Sequence, residues 1–441
     1  MSPNRGRLAR FAVTLLGEVV QSGFHFALNI LLVRSLSQHD YGVFAIVFLA
    51  GGLALTYVRA LAGVPISTFL PAHRDRRAGR AIDVTFGTGA LTVSAVVGLG
   101  IAGFLVVADT VNPVAGGAFV MLWCLRSYLR LALYAKNLAG FATASDVTFA
   151  LSGTALAFLL VHGDDAARTD GVFVALACAH AVGIATALLA LREPIRLSLK
   201  ASSWRRYHAI RRELGWSLVG VTTTNLQGQG QTLAMALLLG PDAYAPIAAA
   251  LILFAPLRLG AAALVNMTQP EMGAQIGRGD RRGAIRLASL TAGLLLVGCT
   301  AYGVVLLAAM PLIETHFFAA RFSGQDFGLI VLVLWAVVTV SLTYAPLRVL
   351  LEIAQEFRFL AALSAVAAVA GLAMVCGLLL TVPPAWSLLG LLVSELLILF
   401  GCAAVLRPGR AGAERPSVHV PPSCPPPPLA APTPRVTRAH P

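Results

Sequence analysis

A chain of 441 residues that is 57% apolar and only 12% charged carries about half the charge of an ordinary soluble domain, and its mean hydropathy is +0.79. That balance excludes a typical soluble enzyme and makes a polytopic membrane protein the default class. The net charge of +13 comes from 33 Lys and Arg against 20 Asp and Glu. In a soluble chain it would suggest nucleic acid, but here the charges fall between apolar segments and read as orientation signals, so no nucleic-acid partner is expected.

A membrane-spanning helix needs about 20 mostly apolar residues. Twelve such segments follow in chain order: 11–33, 41–63, 83–107, 114–138, 144–161, 171–191, 214–239, 243–265, 287–310, 327–347, 359–380 and 385–406. The apolar run behind "MSPNRGRLAR" is too long for a signal peptide and lacks a small-x-small cleavage site, so it is expected to be an uncleaved first span. With the N-terminus in the cytoplasm, the cytoplasmic loops carry Arg74, Arg76, Arg77 and Arg80, then Lys136, then the basic stretch from Arg192 to Arg212. Further on they carry Arg278, Arg281, Arg282 and Arg286, then Arg358, then Arg407 and Arg410. The opposite loops hold only Arg34, Arg168 and Arg321, amid several Asp and Glu. This is the positive-inside pattern, with both termini cytoplasmic. One miscounted span would reverse it downstream.

The expected organisation is a six-helix N-terminal lobe over 1–191, a basic cytoplasmic linker over 192–213, a six-helix C-terminal lobe over 214–407, and a tail over 408–441. Eleven of the tail's 34 residues are Pro, including "PPSCPPPP", a composition that cannot bury a core and is expected to be disordered. The six Cys form no CxxC and no Cys/His ligand spacing. They are expected as small apolar filler, with no metal and no cofactor.

The two lobes repeat. A shift of 203 places Tyr41 on Tyr244, Leu36 on Leu239, Gly17 on Gly220 and Ser22 on Asn225. At a shift of 205, "DRRAGRAI" from Asp75 meets "DRRGAIRL" from Asp280. Six is an even number, so both halves start on the same side. The repeats are parallel, their axis runs along the membrane normal, and a path is expected between the lobes.

The stretch "LVRSLSQHDYGVF", Leu32 to Phe44, joins the first two spans. It resembles the first-loop pattern of bacterial polysaccharide and oligosaccharide flippases, through Arg34, Leu36, Asp40, Tyr41, Gly42 and Phe44. "AQEFRFLAALSA", Ala354 to Ala365, resembles the same family ahead of its eleventh helix. That family belongs to the multidrug/oligosaccharidyl-lipid/polysaccharide superfamily, whose members have twelve helices in two lobes. The counterpart "GPDAYAPI" lacks the Gly after Tyr, so the second half departs from the motif. The resemblance implies an all-α polytopic protein of about twelve helices in two parallel six-helix lobes. It implies no enzymatic activity, residence in the bacterial inner membrane, and a lipid-linked oligosaccharide cargo. It also implies polysaccharide polymerase or glycosyltransferases as partners. Asp40 and Tyr41 are expected near the water boundary, with Asp40 a partner for Arg34. A monomer is expected.

Ionisable residues inside spans are costly and point to a path. Glu18, Ser22, His25 and Asn29 are spaced four, three and four apart, on one face of the first helix. Asn225, Gln229 and Thr232 form a similar stripe on the seventh. Arg59 in the second span and Arg258 in the eighth are near-equivalents under the repeat. Arg126 and Arg130 in the fourth and Arg348 in the tenth bring the arginines to five. Glu18, Asp146, Glu352 and Glu395 are too few to neutralise all of them, so the expectation is a cationic cavity. Guanidinium groups grip phosphate oxygens bidentately, which suits a polyprenyl-pyrophosphate sugar, with Asn and Gln meeting sugar hydroxyls. Glu18 and Asp146 are the ion-coupling candidates, and the absence of a Walker motif argues against ATP. The alternatives are a multidrug/cation antiporter of the same superfamily, a membrane-embedded glycosyltransferase, and a non-transporting component of an assembly complex.

Overall fold

The computed structural model describes residues 3–72, 76–108, 111–161, 168–189, 191, 197–198, 200–322 and 326–406. The expected disordered tail 408–441 and much of the first half of the linker, 192–196 and 199, lie outside the described residues. The chain is helical throughout, with no strand among the described residues. It runs α1 (Pro3–Ser35), α2 (Gln38–Val58, a π turn Arg59–Gly63, then Val64–Ala72), α3 (Arg76–Ala108), α4 (Pro113–Ala135), α5 (Ala139–Val161) and α6 (Arg168–Leu189). A short surface helix, α7 (Ala201–Ala209), comes next.

The second half begins with Arg211–Asn225, a π turn Leu226–Gly230, and Gln231–Ile252. Among the described residues, eleven helices are long and apolar enough to cross a membrane. One of them, Leu214–Ile252, has 39 residues. Straight, it would run about 58 Å, nearly twice the hydrocarbon thickness of ~30 Å. Gly240 resolves the excess: at φ 79°, ψ 173° it is non-helical and breaks the run, a backbone setting open to glycine and strained for other residues. The chain therefore forms α8 over 211–239 and α9 from 241, which passes a break at Leu253 and Phe254 and continues as Ala255–Gly277. Then come α10 (Arg281–Ala308), α11 (Phe327–Ile353), α12 (Phe357–Leu379) and α13 (Pro384–Ser387 and Leu389–Leu406). Among the described residues these make twelve long helices at the twelve expected positions, in an integral multi-pass membrane protein. The basic linker, expected to be a plain loop, is partly helical: α7 and the first turn of α8 lie within it.

Helices start and stop where local chemistry dictates. Ser37 caps α2: its Oγ accepts from the Asp40 N–H at 3.0 Å and donates to Asp40 Oδ2 at 2.5 Å, a side-chain cap that satisfies an orphan donor. Asp40 is thus engaged by Ser37, and no Asp40–Arg34 ion pair exists among the described residues. The expectation of that pair is corrected by the cap, which the three-residue spacing favours over a longer reach. Asn112 caps α4, its Oδ1 accepting from Val114 and Ala115 at 3.0 and 3.2 Å. At the other end of α2, the π turn widens the helix. The Leu61 carbonyl there accepts from the Tyr207 hydroxyl of α7. Burial pushes that phenol up to about 12, so it stays a donor.

The two repeat-related turns meet. His39 Nδ1 lies 2.9 Å from Asp242 Oδ2, and Gln38 Nε2 donates to the Asp242 carbonyl at 2.7 Å. His39 and Asp242 are equivalent under the 203 shift, and contact between equivalent positions means the pseudo-twofold axis passes beside them. Tyr41 and Tyr244 are equivalent too, and both are fully buried, at 1% and 2% exposure. Tyr41, expected near the water boundary, is buried in the protein one residue from half-buried Asp40. The packing has no slack: a Cβ on Gly42 would fall 2.0 Å from the Pro241 carbonyl oxygen.

Gly42→Ala is expected to push the turns apart. Overpacking of this kind costs about 1–3 kcal/mol. Cross-linking of a His39→Cys/Asp242→Cys pair should be efficient in the otherwise unaltered chain and drop sharply when Gly42→Ala is added. Equal cross-linking in both would show that the turns do not hold this contact.

Candidate functional site

The face of the turns seals one end of a central cavity of about 570 Å³ between the lobes. Its walls come in repeat-related pairs. From α1 come Ser22, His25, Phe26 and Asn29, and from α8 come Gly228, Gln229 and Thr232. From α2 come Tyr41, Ala45, Phe48, Leu49 and Gly52, and from α9 come Tyr244, Ala248 and Arg258 among others. Trp123 of α4 completes the N-lobe side. The volume matches small-molecule sites, as does the mixture of aromatic wall and few polar groups. No carboxylate lines it among the described residues.

Several expected site residues reach this cavity. Ser22, His25, Asn29, Gln229 and Arg258 all line it, and Gln229 and Arg258 are exposed within it. His25 packs among Phe24, Phe48, Trp123 and Phe149, ring centroids 5.4–5.8 Å away. Both its ring nitrogens are buried without a protein partner. Asn29 donates to the His25 carbonyl at 2.8 Å. Asn225 is not among the lining residues. Its Nδ2 donates to Thr56 Oγ1 of α2 at 2.5 Å, because the π turn at Leu226–Gly230 shifts the register between Asn225 and Gln229. A spacing rule built on 3.6 residues per turn misses that shift.

The cationic-cavity expectation fails. Of the five arginines only Arg258 lines the cavity. Arg126, 2% exposed, lies inside the N-lobe. Its Nη1 donates to Asp146 Oδ1 at 2.8 Å and its Nε to His180 Nδ1 at 3.1 Å, while its guanidinium carbon sits 4.0 Å from the Phe149 ring centre. Arg130 pairs with Glu18 at 2.5 Å and with Asp146 Oδ2 at 3.0 Å. Arg348 pairs with Glu352 at 3.2 Å and donates to Thr224 at 2.8 Å. Arg59 is exposed on the π turn of α2 and is not among the residues that line the cavity. Lys136 pairs with Asp83 at 2.5 Å rather than with Asp146. Ion pairs take up three of the five arginines, since one Asp146 serves two guanidinium groups; among the described residues no ion pair engages Arg59 or Arg258. Burying two charges is costly unless each is paired, and in this cluster each guanidinium lies within ion-pair distance of a carboxylate.

Two features escape the sequence reading. His180, fully buried at 0% exposure, accepts from Arg126 and stacks on Phe149 at 4.4 Å. A histidine amid the apolar run of α6 was the available signal. In the C-lobe, Gln227 donates to Glu395 Oε1 at 3.1 Å, and Gln231 donates to Ser394 Oγ at 2.8 Å. The run "LQGQGQ" signalled buried amides: Gln227 and Gln231, four apart, share the lobe-facing side, while Gln229 between them faces the cavity.

No protein-family model matches the chain, and no curated protein matches it in sequence. Solved structures do match in fold. The inward-facing conformation of a multidrug resistance MATE family transporter of the MOP superfamily has a TM-score of 0.65 at 13% identity, over 90% of this chain and 98% of that one. An outward-facing conformation of such a transporter has a TM-score of 0.56 at 12% identity, over 90% and 93%. A MOP superfamily transporter from Pyrococcus furiosus, described by the reverse polarity of its binding pocket, has a TM-score of 0.50 at 12% identity, over 90% and 94%. The chain thus has the two-lobed, all-helical fold of MOP superfamily transporters.

Proposed function

We propose that the protein is an alternating-access transporter of the inner membrane that moves an amphipathic, anionic, sugar-bearing molecule such as a lipid-linked oligosaccharide. Both termini are placed in the cytoplasm, following the basic loops. The observation that carries the reading is the cavity lining: one guanidinium, Arg258, with Ser22, Asn29, Gln229 and Thr232, and no carboxylate. A single cation can hold a phosphate at the lipid–sugar junction, and amides and hydroxyls suit sugar hydroxyls. His25, with both ring nitrogens unpartnered, offers a further polar contact. The seal at the turns supports a state closed to the outside, and rocking of the lobes about the pseudo-twofold axis would open it. The cavity is built within one chain, which supports action as a monomer. Polymerase or glycosyltransferase partners remain part of the proposal, as suppliers and consumers of such a cargo.

A second reading, multidrug export, is favoured by the comparisons, since the structures sharing the fold include multidrug transporters. The aromatic wall of Phe26, Phe48, Trp123, Tyr41 and Tyr244 supports it through ring contacts to organic cations. Arg258 opposes it by repulsion.

Proteoliposomes separate the two. Leaflet accessibility of a polyprenyl-pyrophosphate sugar should change with the protein present, while efflux of an ethidium-type cation should not; the reverse result would establish the second reading. Loss of one charge-assisted contact is worth about 1.5–3 kcal/mol, so Arg258→Ala should slow flipping about 10- to 100-fold. Arg59→Ala, outside the cavity, should stay near the unmodified rate. Equal losses in both would remove the cavity assignment.

Glu18 and Asp146 stay the proposed ion-coupling pair, under a constraint: two guanidiniums already neutralise them, so an incoming proton must displace an ion pair. Asp146→Asn would leave Arg126 and Arg130 short of charge and should destabilise the N-lobe by about 3–5 kcal/mol. The readout is thermal unfolding in detergent. Glu18, whose side chain is 45% exposed, can be changed to Gln with little loss of stability, and gradient-driven flipping by Glu18→Gln then tests coupling alone.

A further inference from the structure

The inter-lobe helix α7 borders a second space that the cavity does not explain. Tyr207 anchors α7: its hydroxyl donates to the Leu61 carbonyl, and its ring meets Phe86 edge-on at 5.9 Å. Gly89 leaves the room, since a Cβ there would lie 2.5 Å from the Tyr207 ring. Beside this anchor lies a groove of about 860 Å³. Its upper rim carries Arg205, His208 and Arg211, and its lower wall carries Leu61, Leu214 and Leu218.

Charge and apolarity divide along the groove. Arg211 donates to His208 Nε2 at 2.6 Å, so His208 acts as an acceptor and the positive charge resides on the guanidiniums. Among the described residues, no ion pair links Arg205 or Arg211 to a carboxylate. Just beyond the arginines, Trp216, Leu218 and Val219 are exposed, at 62%, 39% and 48%. Such exposure at the start of a spanning helix marks where hydrocarbon begins. Trp204, 43% exposed, sits at the boundary where amphipathic rings are favoured. The groove thus crosses the polar–apolar boundary on the side opposite the turns. It also joins the lobes: Leu61 belongs to α2, and Leu214 and Leu218 belong to α8.

We infer that this groove binds an anionic phospholipid of the leaflet on the basic side, with its phosphate between Arg205 and Arg211 and an acyl chain along Leu61, Leu214 and Leu218. Two unpaired guanidiniums over an aliphatic wall complement an anionic head on a hydrocarbon tail, and a zwitterionic head gains less from them. A lipid seated there touches both lobes, so its occupancy would bear on their rocking. The inference does not depend on what the central cavity carries.

The test uses the full chain in nanodiscs, with retained lipids counted by native mass spectrometry. Phosphatidylglycerol should be retained over phosphatidylcholine. Each basic side chain at a membrane surface contributes enough for the Arg205→Gln/Arg211→Gln chain to lose that preference by roughly tenfold or more. Arg205→Lys/Arg211→Lys, which keeps the charge, should restore most of it and guards against misfolding of the Gln variant. Arg281→Gln/Arg282→Gln, the same charge change on another loop, should leave retention unaltered. Equal retention of both lipids, an equal loss in the Arg281/Arg282 variant, or displacement of the lipid by inorganic phosphate would each overturn the inference.

Discussion

Inside a bilayer there is no water to satisfy a polar group, so every buried charge must find its partner within the chain. The N-lobe is organised around that constraint. Arg126, Arg130, Asp146 and Glu18 come from α4, α5 and α1, and the buried Arg126 and Arg130 rely on Asp146 for their countercharge. Asp146, at 0% exposure, is the hub. Gly17 of α1 has no Cβ because one would lie 2.7 Å from Asp146 Oδ2. The cluster therefore sets how closely α1 approaches α5, and α1 in turn presents Ser22, His25 and Asn29 to the cavity. Ion pairs in the lobe and polar groups in the cavity are consequences of one helix placement.

The same constraint explains the tyrosines at the helix breaks. Where α2 widens into a π turn, the Leu61 carbonyl accepts from Tyr207. Where α9 breaks at Leu253, that residue's carbonyl accepts from Tyr302 of α10. Each irregular turn frees a backbone acceptor, and each has a phenol brought to it from another helix. The breaks lie in α2 and α9, helices that the repeat pairs and that flank the cavity on its two sides, but not at repeat-equivalent positions.

Charge in the cavity cannot be inferred from the number of arginines in the spans. Five intramembrane arginines suggested a cationic path, yet three are taken up by ion pairs and only Arg258 lines the cavity. A carboxylate has two oxygens and several lone pairs, so Asp146 can serve both Arg126 and Arg130. The cavity that results is polar, with a single guanidinium and no carboxylate among the described lining residues. In the proposed function that guanidinium takes one anionic group, and hydroxyls, amides and rings do the remaining recognition.

Much of the fold was legible because the bilayer imposes a length on every span and the loops carry an excess of Arg on one side. Twelve apolar runs, the parallel repeat and the tight turn at Leu32–Phe44 all follow from local composition and periodicity. The helical stripe of Ser22, His25 and Asn29 was legible for the same reason, since α1 is regular. What failed was every inference across space or across an irregular turn. Asn225 left the cavity because a π turn intervenes, and His180 was passed over because its partner lies 54 residues away. By itself the sequence determined how many helices cross, where they turn and that the halves are related, because those depend on hydropathy and near-neighbour sterics. Only the tertiary structure decided which charges cancel and which single one faces the path, because pairing depends on which helices pack together.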